Sequence, residues 1–228
     1  MSERIIIAIP AYDEEYAIGN VVKGIYDLGM DVDVFVIDDG SNDETLKIAK
    51  LHGAAVLRHR INLGGGATIR TAFSLAMRMG ADYLVTLDGD GQHDPSELPL
   101  MIDVMRKDGA ALLIGSRFQR RDELEMKMYR RLGIRFFSWV VSWMTGQKIS
   151  DATSCYRIYD MKYVRMVFPN LKESQYYAIE LITQINRLGG RVVEVPIQDI
   201  KRMDGNSKKG IIRYCYHLIR VVVKTVLL

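Results

Sequence analysis

Short runs rich in β-branched residues alternate with helical patterns along this chain. The runs "RIIIAIPA", "DVDVFVIDDG", "AAVLRHR" and "DYLVTLD" are strand-like, and a helical pattern follows each of them. After residue 110 the alternation is less regular. "ALLIGSR", "SCYRIY" and "RVVEVPI" are still strand-like, with helical patterns over 122–146 and 175–189. Alternation with short links predicts an α/β fold with a mostly parallel central sheet flanked by helices.

Polar motifs follow three of the predicted strands. "PAYDEE", "DDGS" and "LDGDGQHDP" begin near the strand ends, and ligands of open α/β sheets bind at the carboxyl ends of the strands. For "DDGS", Ser41 and Glu44 predict a capping box at the start of the next helix. We therefore expect the binding chemistry of the protein at one edge of the sheet.

The motif "LDGDGQHDP" crowds carboxylates that repel one another. An isolated D-x-D is most simply a solvated acidic turn. An EF-hand loop is excluded because His93 stands where that loop needs glycine. A third interpretation is a divalent site in which Asp88, Asp90 and Gln92 hold Mg²⁺ or Mn²⁺ beside substrate phosphates, because a cation offsets the repulsion.

The glycine-rich segment "NLGGGATIR", residues 62–70, has two interpretations. It is either a phosphate cradle at a helix N-terminus or a tight turn from strand to helix. It does not match the dinucleotide fingerprint G-x-G-x-x-G, because Ile69 occupies the last position. Taken alone, the segment favours the tight turn.

The order of the motifs resembles that of the inverting family 2 glycosyltransferases. "PAYDEE", "DDGS", "NLGGG", "LDGDGQHDP", "GSR", "DATSCYR" and "RMDGNSK" follow one another over residues 5–210. Within that family they resemble the dolichyl- and polyprenyl-phosphate sugar transferases, such as dolichyl-phosphate mannose synthases. The resemblance implies a GT-A fold, in which a Rossmann-like nucleotide half merges with an acceptor half.

The resemblance also implies an activity. The enzyme would move one sugar (glucose, mannose or N-acetylglucosamine) from a UDP- or GDP-sugar to dolichyl or polyprenyl phosphate, with Mg²⁺ or Mn²⁺ as cofactor. Two positions depart from the family pattern. Asp13 stands where asparagine is common, and Gly89 stands where many dolichyl-phosphate mannose synthases have alanine. The donor sugar therefore stays open.

Carried over residue by residue, the resemblance implies four groups of functional residues. The nucleotide sugar would be held by Pro10, Tyr12, Glu14, Ile37, Asp39, Asp88, Gly89, Asp90, Arg202 and Lys208. The acceptor phosphate would be held by Arg117, Arg130, Arg131, Ser154 and Arg157. The metal would be held by Asp88, Asp90 and Gln92. The catalytic residues would be Asp90, Arg117 and Asp151.

The acceptor leaves an alternative open. A phosphate monoester is already an anion at neutral pH and needs only positioning. A hydroxyl of a glycan or lipid needs a general base, and Asp151 would be that base. A non-catalytic nucleotide- or membrane-binding module is a third interpretation. The complete phosphate and metal set argues against it.

Charge and aromatic residues predict contact with a membrane surface. Residues 1–100 carry 8 Lys/Arg and 16 Asp/Glu, whereas residues 101–228 carry 23 and 12. The basic residues of the second half are interleaved with apolar runs, which fits a membrane surface better than nucleic acid. Segment 126–144 contains Trp139 and Trp143 at helical i, i+4 spacing, a pattern typical of interfacial helices. The alternative is that these helices pack in the core or form a homo-oligomer.

The domain prediction follows. The chain has 228 residues, 48% hydrophobic, enough for one full core. We expect a catalytic domain over 1–210 and an interfacial amphipathic helix over 211–228. "MSERIIIAIPAYDEE" is not a signal peptide, and the apolar runs fall short of the about 20 residues that span a bilayer. The predicted location is cytoplasmic, peripheral on the inner face of the cell membrane.

Overall fold

A computed structural model describes residues 3–120, 126, 128–171, 177–198 and 200–201. Its strands are β1 (Ile5–Ala11), β2 (Asp33–Asp38), β3 (Ala55–Arg58), β4 (Tyr83–Thr86), β5 (Leu112–Ser116), β6 (Arg157–Asp160) and β7 (Val192–Pro196). Its α-helices are α1 (Ile18–Tyr26), α2 (Thr45–Leu51), α3 (Gly65–Arg78), α4 (Leu98–Asp108), α5 (Met128–Thr145), α6 (Met161–Val167) and α7 (Tyr177–Arg187). The predicted helix over 211–228 lies outside the described residues.

The described strands form one sheet in the order β3-β2-β1-β4-β6-β5-β7. Every pairing is parallel except those of β6, which runs antiparallel to both β4 and β5. The mostly parallel α/β sheet predicted from the alternation is confirmed. Because β6 is reversed, its amino end lies at the same edge as the carboxyl ends of the other strands. The segment before β6 is thereby brought to the predicted binding edge.

Helices cover both faces of the sheet, which explains why the strands are apolar on both sides. In β1, Ile6 and Ala8 pack in one core with α3, α5, α6 and α7. Ile7 and Ile9 of the same strand pack in a second core with α1, α2 and α4. Side chains alternate across a strand, so a continuous apolar run feeds both cores.

The capping box predicted for α2 is wrong. The helix begins at Thr45, and its N-cap residue Glu44 makes no side-chain cap. Ser41 instead donates both its N–H (3.0 Å) and its hydroxyl to the buried carboxylate of Asp38. A buried carboxylate without hydrogen-bond donors costs more free energy than an uncapped helix end that water can reach. Ser41 therefore binds Asp38 and does not cap α2.

The helix α5 lies within the predicted helical region 122–146. Its buried residues are Ile134, Phe137, Ser138, Val141 and Thr145. Among the described residues, no helix combines the length and apolar character that a bilayer crossing requires.

Candidate active site

The predicted motifs meet at the carboxyl edge of the sheet. Pro10 lies near the end of β1, and Asp39 directly follows β2. Thr86, the last residue of β4, pairs with Arg157 at the start of β6, and Arg157 also pairs with Ile114 of β5. The segments after β4 and β5 and the segment before β6 are therefore neighbours at this edge.

The acidic motif begins two residues beyond β4. Gly89 donates its N–H to the Pro10 carbonyl (3.2 Å), and a Cβ at Gly89 would lie 3.3 Å from the Cβ of Ala11. Gly89 therefore packs against the end of β1, and its lack of a side chain serves that close approach. Gly91 follows with a φ of +75°, which glycine adopts readily. Asp90 accepts the Gln92 N–H (3.0 Å), which fixes the turn.

The donor set of this turn fits a divalent ion shared with a diphosphate. Within the described ranges, no cluster of three or more His, Cys, Asp or Glu side chains would hold a metal alone. Magnesium in phosphate-transfer sites typically takes one or two carboxylates and completes its shell with substrate oxygens and water. Asp88, with a side chain 38% exposed, and Asp90, at 9%, offer two such carboxylates in the loop after β4.

Gln92, predicted as a metal ligand, also contacts the end of the described chain. Its side-chain Nε2 donates to the Ile200 carbonyl (3.4 Å), and its backbone carbonyl accepts the Ile200 N–H (3.4 Å). Ile200, two residues before Arg202 in sequence, is thereby held beside the acidic motif. Arg202 and Lys208 themselves lie outside the described residues.

His93 was not predicted as a site residue, but its buried ring lies next to Asp88 of the acidic motif. Its ring is buried, packs against Tyr156 (ring centroids 5.3 Å apart), and brings Nε2 to 3.6 Å from the Asp88 carboxylate. A buried imidazole this close to a carboxylate restricts where that carboxylate can turn. The only sequence feature that could have indicated this role is the position of His93 within the acidic motif, in "GQHDP".

The loop after β1 is bound to the loop after β2 by hydrogen bonds. Asp13 donates its N–H to Ser41 Oγ (2.9 Å), and its carboxylate accepts the Asn42 N–H (2.8 Å). Glu14 donates its N–H to Thr45 Oγ1 (2.7 Å). Asp13 has a φ of +50°, a conformation that aspartate and asparagine tolerate better than most residues. The aspartate at this asparagine position of the family therefore suits the loop.

Asp39 anchors the glycine-rich segment. Its side chain is buried, and its carboxylate accepts the N–H groups of Leu63 (2.9 Å) and Gly64 (2.7 Å) and contacts His59 Nδ1 (2.7 Å). Gly64 has a φ of +91°, and α3 begins at the next residue. The tight turn favoured by the sequence is confirmed. The predicted contact of Asp39 with a nucleoside stays a prediction, as do those of Tyr12, Glu14 and the buried Ile37.

Arg117 and Asp151 form a buried ion pair after β5. The Arg117 Nε lies 2.7 Å from Asp151 Oδ2 and its Nη2 lies 3.0 Å from Oδ1, so the pair is bidentate. Asp151 is 0% exposed and Arg117 is 7% exposed. Burial by itself raises the pKa of Asp151, but the charge of the adjacent Arg117 and the hydrogen bonds from Arg117 and Thr153 together outweigh burial and leave the pKa below its ordinary value. The carboxylate is therefore ionised at neutral pH and already bound to a cation.

Ser154 and Arg157 lie behind this pair. Asp151 also accepts the N–H groups of Thr153 (3.3 Å) and Ser154 (3.1 Å), which closes the turn that follows it. Arg157 is 1% exposed and donates to the carbonyls of Ala152 and Ser154, both at 2.6 Å. Ser154 and Arg157 thus help to hold this loop, and their contact with acceptor phosphate stays a prediction.

A glutamate that the sequence analysis missed supports the same loop. Glu194 of β7 accepts the N–H groups of Ser150 (2.8 Å) and Asp151 (2.8 Å) and the Ser150 hydroxyl (2.7 Å). It also accepts Gln119 Nε2 (3.1 Å) from the segment after Arg117. The only sequence feature that could have indicated this role is the presence of a charged residue within the otherwise apolar run "VVEVPI".

The helix α5 adjoins the Arg117 loop. Ser138 Oγ accepts the Ala152 N–H (2.9 Å), and the Arg135 guanidinium lies 5.9 Å from the centre of the Phe118 ring. Arg130 and Arg131, predicted to hold acceptor phosphate, are exposed in the first turn of this helix. Basic side chains therefore extend along α5 from the neighbourhood of Arg117.

One side of α5 is an exposed apolar stripe. Trp139 is 65% exposed and Trp143 is 71% exposed, and the other members of the stripe are also largely exposed. The stripe consists of Tyr129, Leu132, Phe136, Trp139 and Trp143. Its members recur every three or four residues, opposite the buried side of the helix. The helix packs its other side in the core through Phe137 and Val141, as the alternative expected, whereas both tryptophans lie outside that contact.

Comparison with known proteins identifies the family. The family model of glycosyl transferase family 2 matches residues 6–168, and the chain belongs to that family. It is 30% identical to the UDP-N-acetylglucosamine–dolichyl-phosphate N-acetylglucosaminyltransferase of Methanococcus voltae, over 88% of this chain and 87% of the relative. It is also 30% identical to the undecaprenyl-phosphate mannosyltransferase of Micrococcus luteus, over 90% and 87%.

The fold is shared with solved structures. The crystal structure of glucosyl-3-phosphoglycerate synthase from Mycobacterium tuberculosis, with Mn²⁺, UDP and glucosyl-3-phosphoglycerate, matches with a TM-score of 0.71 at 19% identity. The match covers 99% of this chain and 79% of that chain. The GT-A fold predicted from the motif order is confirmed, and the protein is a glycosyltransferase.

Proposed function

We propose that this glycosyltransferase moves one sugar from a UDP- or GDP-sugar to dolichyl or polyprenyl phosphate, inverting the anomeric configuration. One observation carries the proposal. Two carboxylates after β4 and one guanidinium after β5 share a sheet edge, and an exposed apolar helix adjoins the guanidinium. The carboxylates suit a metal-bound diphosphate donor, the guanidinium suits an anionic acceptor, and the apolar helix suits a lipid tail. Relatives named for dolichyl- and undecaprenyl-phosphate substrates support it.

On the donor side, Asp88 and Asp90 would hold Mg²⁺ or Mn²⁺. When bound, the ion supplies a Lewis acid for the charge that develops on the leaving diphosphate. The loops after β1 and β2, with Tyr12 and Glu14, would hold the nucleoside. Arg202 and Lys208 would add positive charge at the diphosphate.

On the acceptor side, the ionised phosphate needs orientation rather than a base. An effective general base has a pKa near the working pH and free access to the proton it removes. Asp151 has a lowered pKa, is buried, and accepts hydrogen bonds from Arg117 through both oxygens. These features argue against the hydroxyl-acceptor alternative. Arg117, with Arg130 and Arg131 of α5, would instead bind the acceptor phosphate.

The acceptor also implies a place of action. A polyprenyl phosphate keeps its tail in lipid, so the active site must work at a bilayer surface. The apolar stripe and the arginines of α5 together have the character of an interfacial helix. We therefore propose peripheral attachment to the inner face of the cell membrane through α5.

The test is a panel of UDP- and GDP-sugars incubated with the protein, Mg²⁺ or Mn²⁺ and a short polyprenyl phosphate. The expected product is the lipid phosphate heavier by one sugar, identified by mass spectrometry. The same panel is run with a glycan or lipid hydroxyl in place of the phosphate. Transfer to the hydroxyl but not to the phosphate contradicts the proposal.

A further inference from the structure

A glutamate on the edge strand collects hydrogen bonds from the loop that carries Asp151. The carboxylate of Glu194 accepts from Ser150 N (2.9 Å to one oxygen and 2.8 Å to the other), Ser150 Oγ (2.7 Å) and Asp151 N (2.8 Å). These partners lie 43 and 44 residues away in sequence. One side chain thus fixes the backbone at the point from which the Asp151 carboxylate extends.

The contacts continue from this backbone to the guanidinium. Asp151 binds Arg117 through both oxygens, at 2.7 and 3.0 Å. A second route passes through hydroxyl groups. Ser150 Oγ lies 2.6 Å from Ser116 Oγ, which accepts the Phe118 N–H (3.3 Å). Residues on both sides of Arg117 are therefore tied to the loop that Glu194 holds.

The orientation of an arginine matters because its donors form a rigid, planar fork that matches phosphate in only some directions. We propose that Glu194 is a positioning residue, which sets the direction of the Arg117 guanidinium through Ser150 and Asp151. The link from Glu194 to Arg117 stands on the contacts alone. Its consequence for the acceptor rests on the proposed function of Arg117.

The decisive variant is Glu194→Gln, which keeps the size of the side chain but turns one acceptor oxygen into a donor group facing other donors. The first measurement is hydrogen exchange of the Arg117 Nε–H by NMR on ¹⁵N-labelled protein, with the signal assigned by its loss in Arg117→Lys. We expect slow exchange in the wild-type protein and fast exchange in Glu194→Gln. This measurement needs no substrate.

The second measurement is steady-state kinetics with donor and acceptor varied separately. Misplacing a group by about 1 Å can cost on the order of 10²-fold in rate, so we expect kcat/KM for polyprenyl phosphate to fall at least about tenfold. The KM for the nucleotide sugar should stay unchanged. Ser150→Ala removes only the hydroxyl contact and should give a smaller effect in the same direction, which keeps the test open if Glu194→Gln does not fold.

Asp160→Asn is the matched control, because Asp160 caps α6 at the opposite edge of the sheet. It makes the same change from carboxylate to amide while asparagine keeps the cap, and it should leave Arg117 exchange unchanged. Unchanged Arg117 exchange in both Glu194→Gln and Ser150→Ala overturns the inference, and so does the same change in Asp160→Asn. If Glu194→Gln speeds exchange while the wild-type protein transfers nothing to polyprenyl phosphate, the positioning role stands and the proposed function fails.

Discussion

In the turn after β4, Asp90 is the residue whose charge matters most to the proposed chemistry. It is 9% exposed, and its carboxylate accepts the Gln92 N–H at 3.0 Å, so its position is fixed before any ligand arrives. Asp88 is more exposed and lies 3.6 Å from the buried His93. A fixed carboxylate paired with an adjustable one suits an ion that arrives with its substrate.

We predict that Asp90→Asn lowers kcat/KM by at least ~10²-fold, the scale of a lost electrostatic stabiliser. The substitution keeps the shape of the side chain and an acceptor for the Gln92 N–H but removes the charge. EDTA should abolish turnover, and Mg²⁺ or Mn²⁺ should restore it.

Asp94→Asn is the control for this prediction, since Asp94 belongs to the same motif but caps the turn at Ser96 (2.9 Å), which asparagine also does. It should keep most of the activity. Full turnover in EDTA would exclude a divalent ion from the reaction.

The Arg117–Asp151 pair gives a pH prediction that separates the two acceptors. The pKa of Asp151 is lowered in the fold, so its stabilising contribution is complete above the unfolded value of about 3.9 and is lost as the pH falls through the folded pKa. Between about pH 5 and 8 Asp151 does not titrate. The kcat/KM profile should therefore show only the acceptor phosphate, which ionises near about pH 6.

The measurement is the pH–rate profile with polyprenyl phosphate and with its thiophosphate analogue. The rising limb should move to lower pH with the more acidic thiophosphate. A limb that stays in place with both acceptors belongs to an enzymic group and contradicts the prediction that only the acceptor phosphate titrates. Asp151→Asn does not make this distinction, because leaving Arg117 buried without its partner costs about 3–5 kcal/mol of stability whatever the role of Asp151.

At the scale of elements, the loops after β1 and β2 act as one unit because backbone groups of one loop bond to side chains of the other. Thr45 is fully buried and accepts the Glu14 N–H at 2.7 Å. Its hydroxyl donates in turn to Asp43 (2.5 Å), whose other carboxylate oxygen accepts the Glu15 N–H (3.2 Å). The start of α2 thereby fixes the predicted nucleoside loop.

We predict that Thr45→Val lowers the free energy of unfolding by about 1–3 kcal/mol, because it leaves the Glu14 N–H without its acceptor. Urea denaturation measures this loss, and the KM for the donor nucleotide should rise with it. Ser74→Ala is the matched control. The Ser74 hydroxyl bonds only to the Arg70 carbonyl within its own helix (2.9 Å), so its loss should stay within about 0.5 kcal/mol. Equal losses in the two variants would contradict a joint role for the loops.

The sequence predicts elements well where one local pattern decides them. The long apolar run of β1 and the paired tryptophans of α5 are such patterns, and both elements lie where predicted. The capping box at Ser41 failed because a buried carboxylate three residues earlier competed for the serine. The reversal of β6 and the short helix α6 depend on which strands become neighbours, which no local pattern reports.

Site residues follow the same rule. Asp88, Asp90 and Arg117 reach the predicted edge because Arg117 directly follows β5 and the two aspartates lie in the loop that follows β4. Glu194 and His59 were missed because their partners, Asp151 and Asp39, lie 43 and 20 residues away. A single sequence carries no signal for such pairs. Arg157, for which the resemblance implied a phosphate contact, is buried and donates from Nε and Nη2 to the carbonyls of Ser154 and Ala152.

For the whole molecule, the sheet edge joins a mainly acidic half to a mainly basic half. The first hundred residues supply the carboxylate motif, and the remainder supplies Arg117, α5 and the excess of 23 Lys/Arg over 12 Asp/Glu. An anionic bilayer attracts the second half and repels the first. If the proposed attachment through α5 holds, we expect this charge distribution to turn the second half of the chain toward an anionic bilayer.

The last prediction is that the protein sediments with anionic liposomes through α5. Apolar insertion of the exposed stripe and attraction of Arg130, Arg131 and Arg135 should both contribute. Salt should weaken binding only in part, because it screens charge but not insertion. Trp139→Glu combined with Trp143→Glu should release the protein while leaving nucleotide binding intact, since both side chains point away from the core.

The matched control places the same two charges on exposed leucines of other helices. Leu51 of α2 is 75% exposed and Leu100 of α4 is 59% exposed, and both helices cover the face of the sheet opposite to α5. Leu51→Glu with Leu100→Glu adds identical charge to the protein and should leave most of the binding intact. Equal release by both pairs would mean that net charge, not the stripe, governs attachment. If the wild-type protein stays in the supernatant at low salt and sediments as a dimer in the centrifuge, a second copy covers the stripe. The tryptophan pair should then yield monomers.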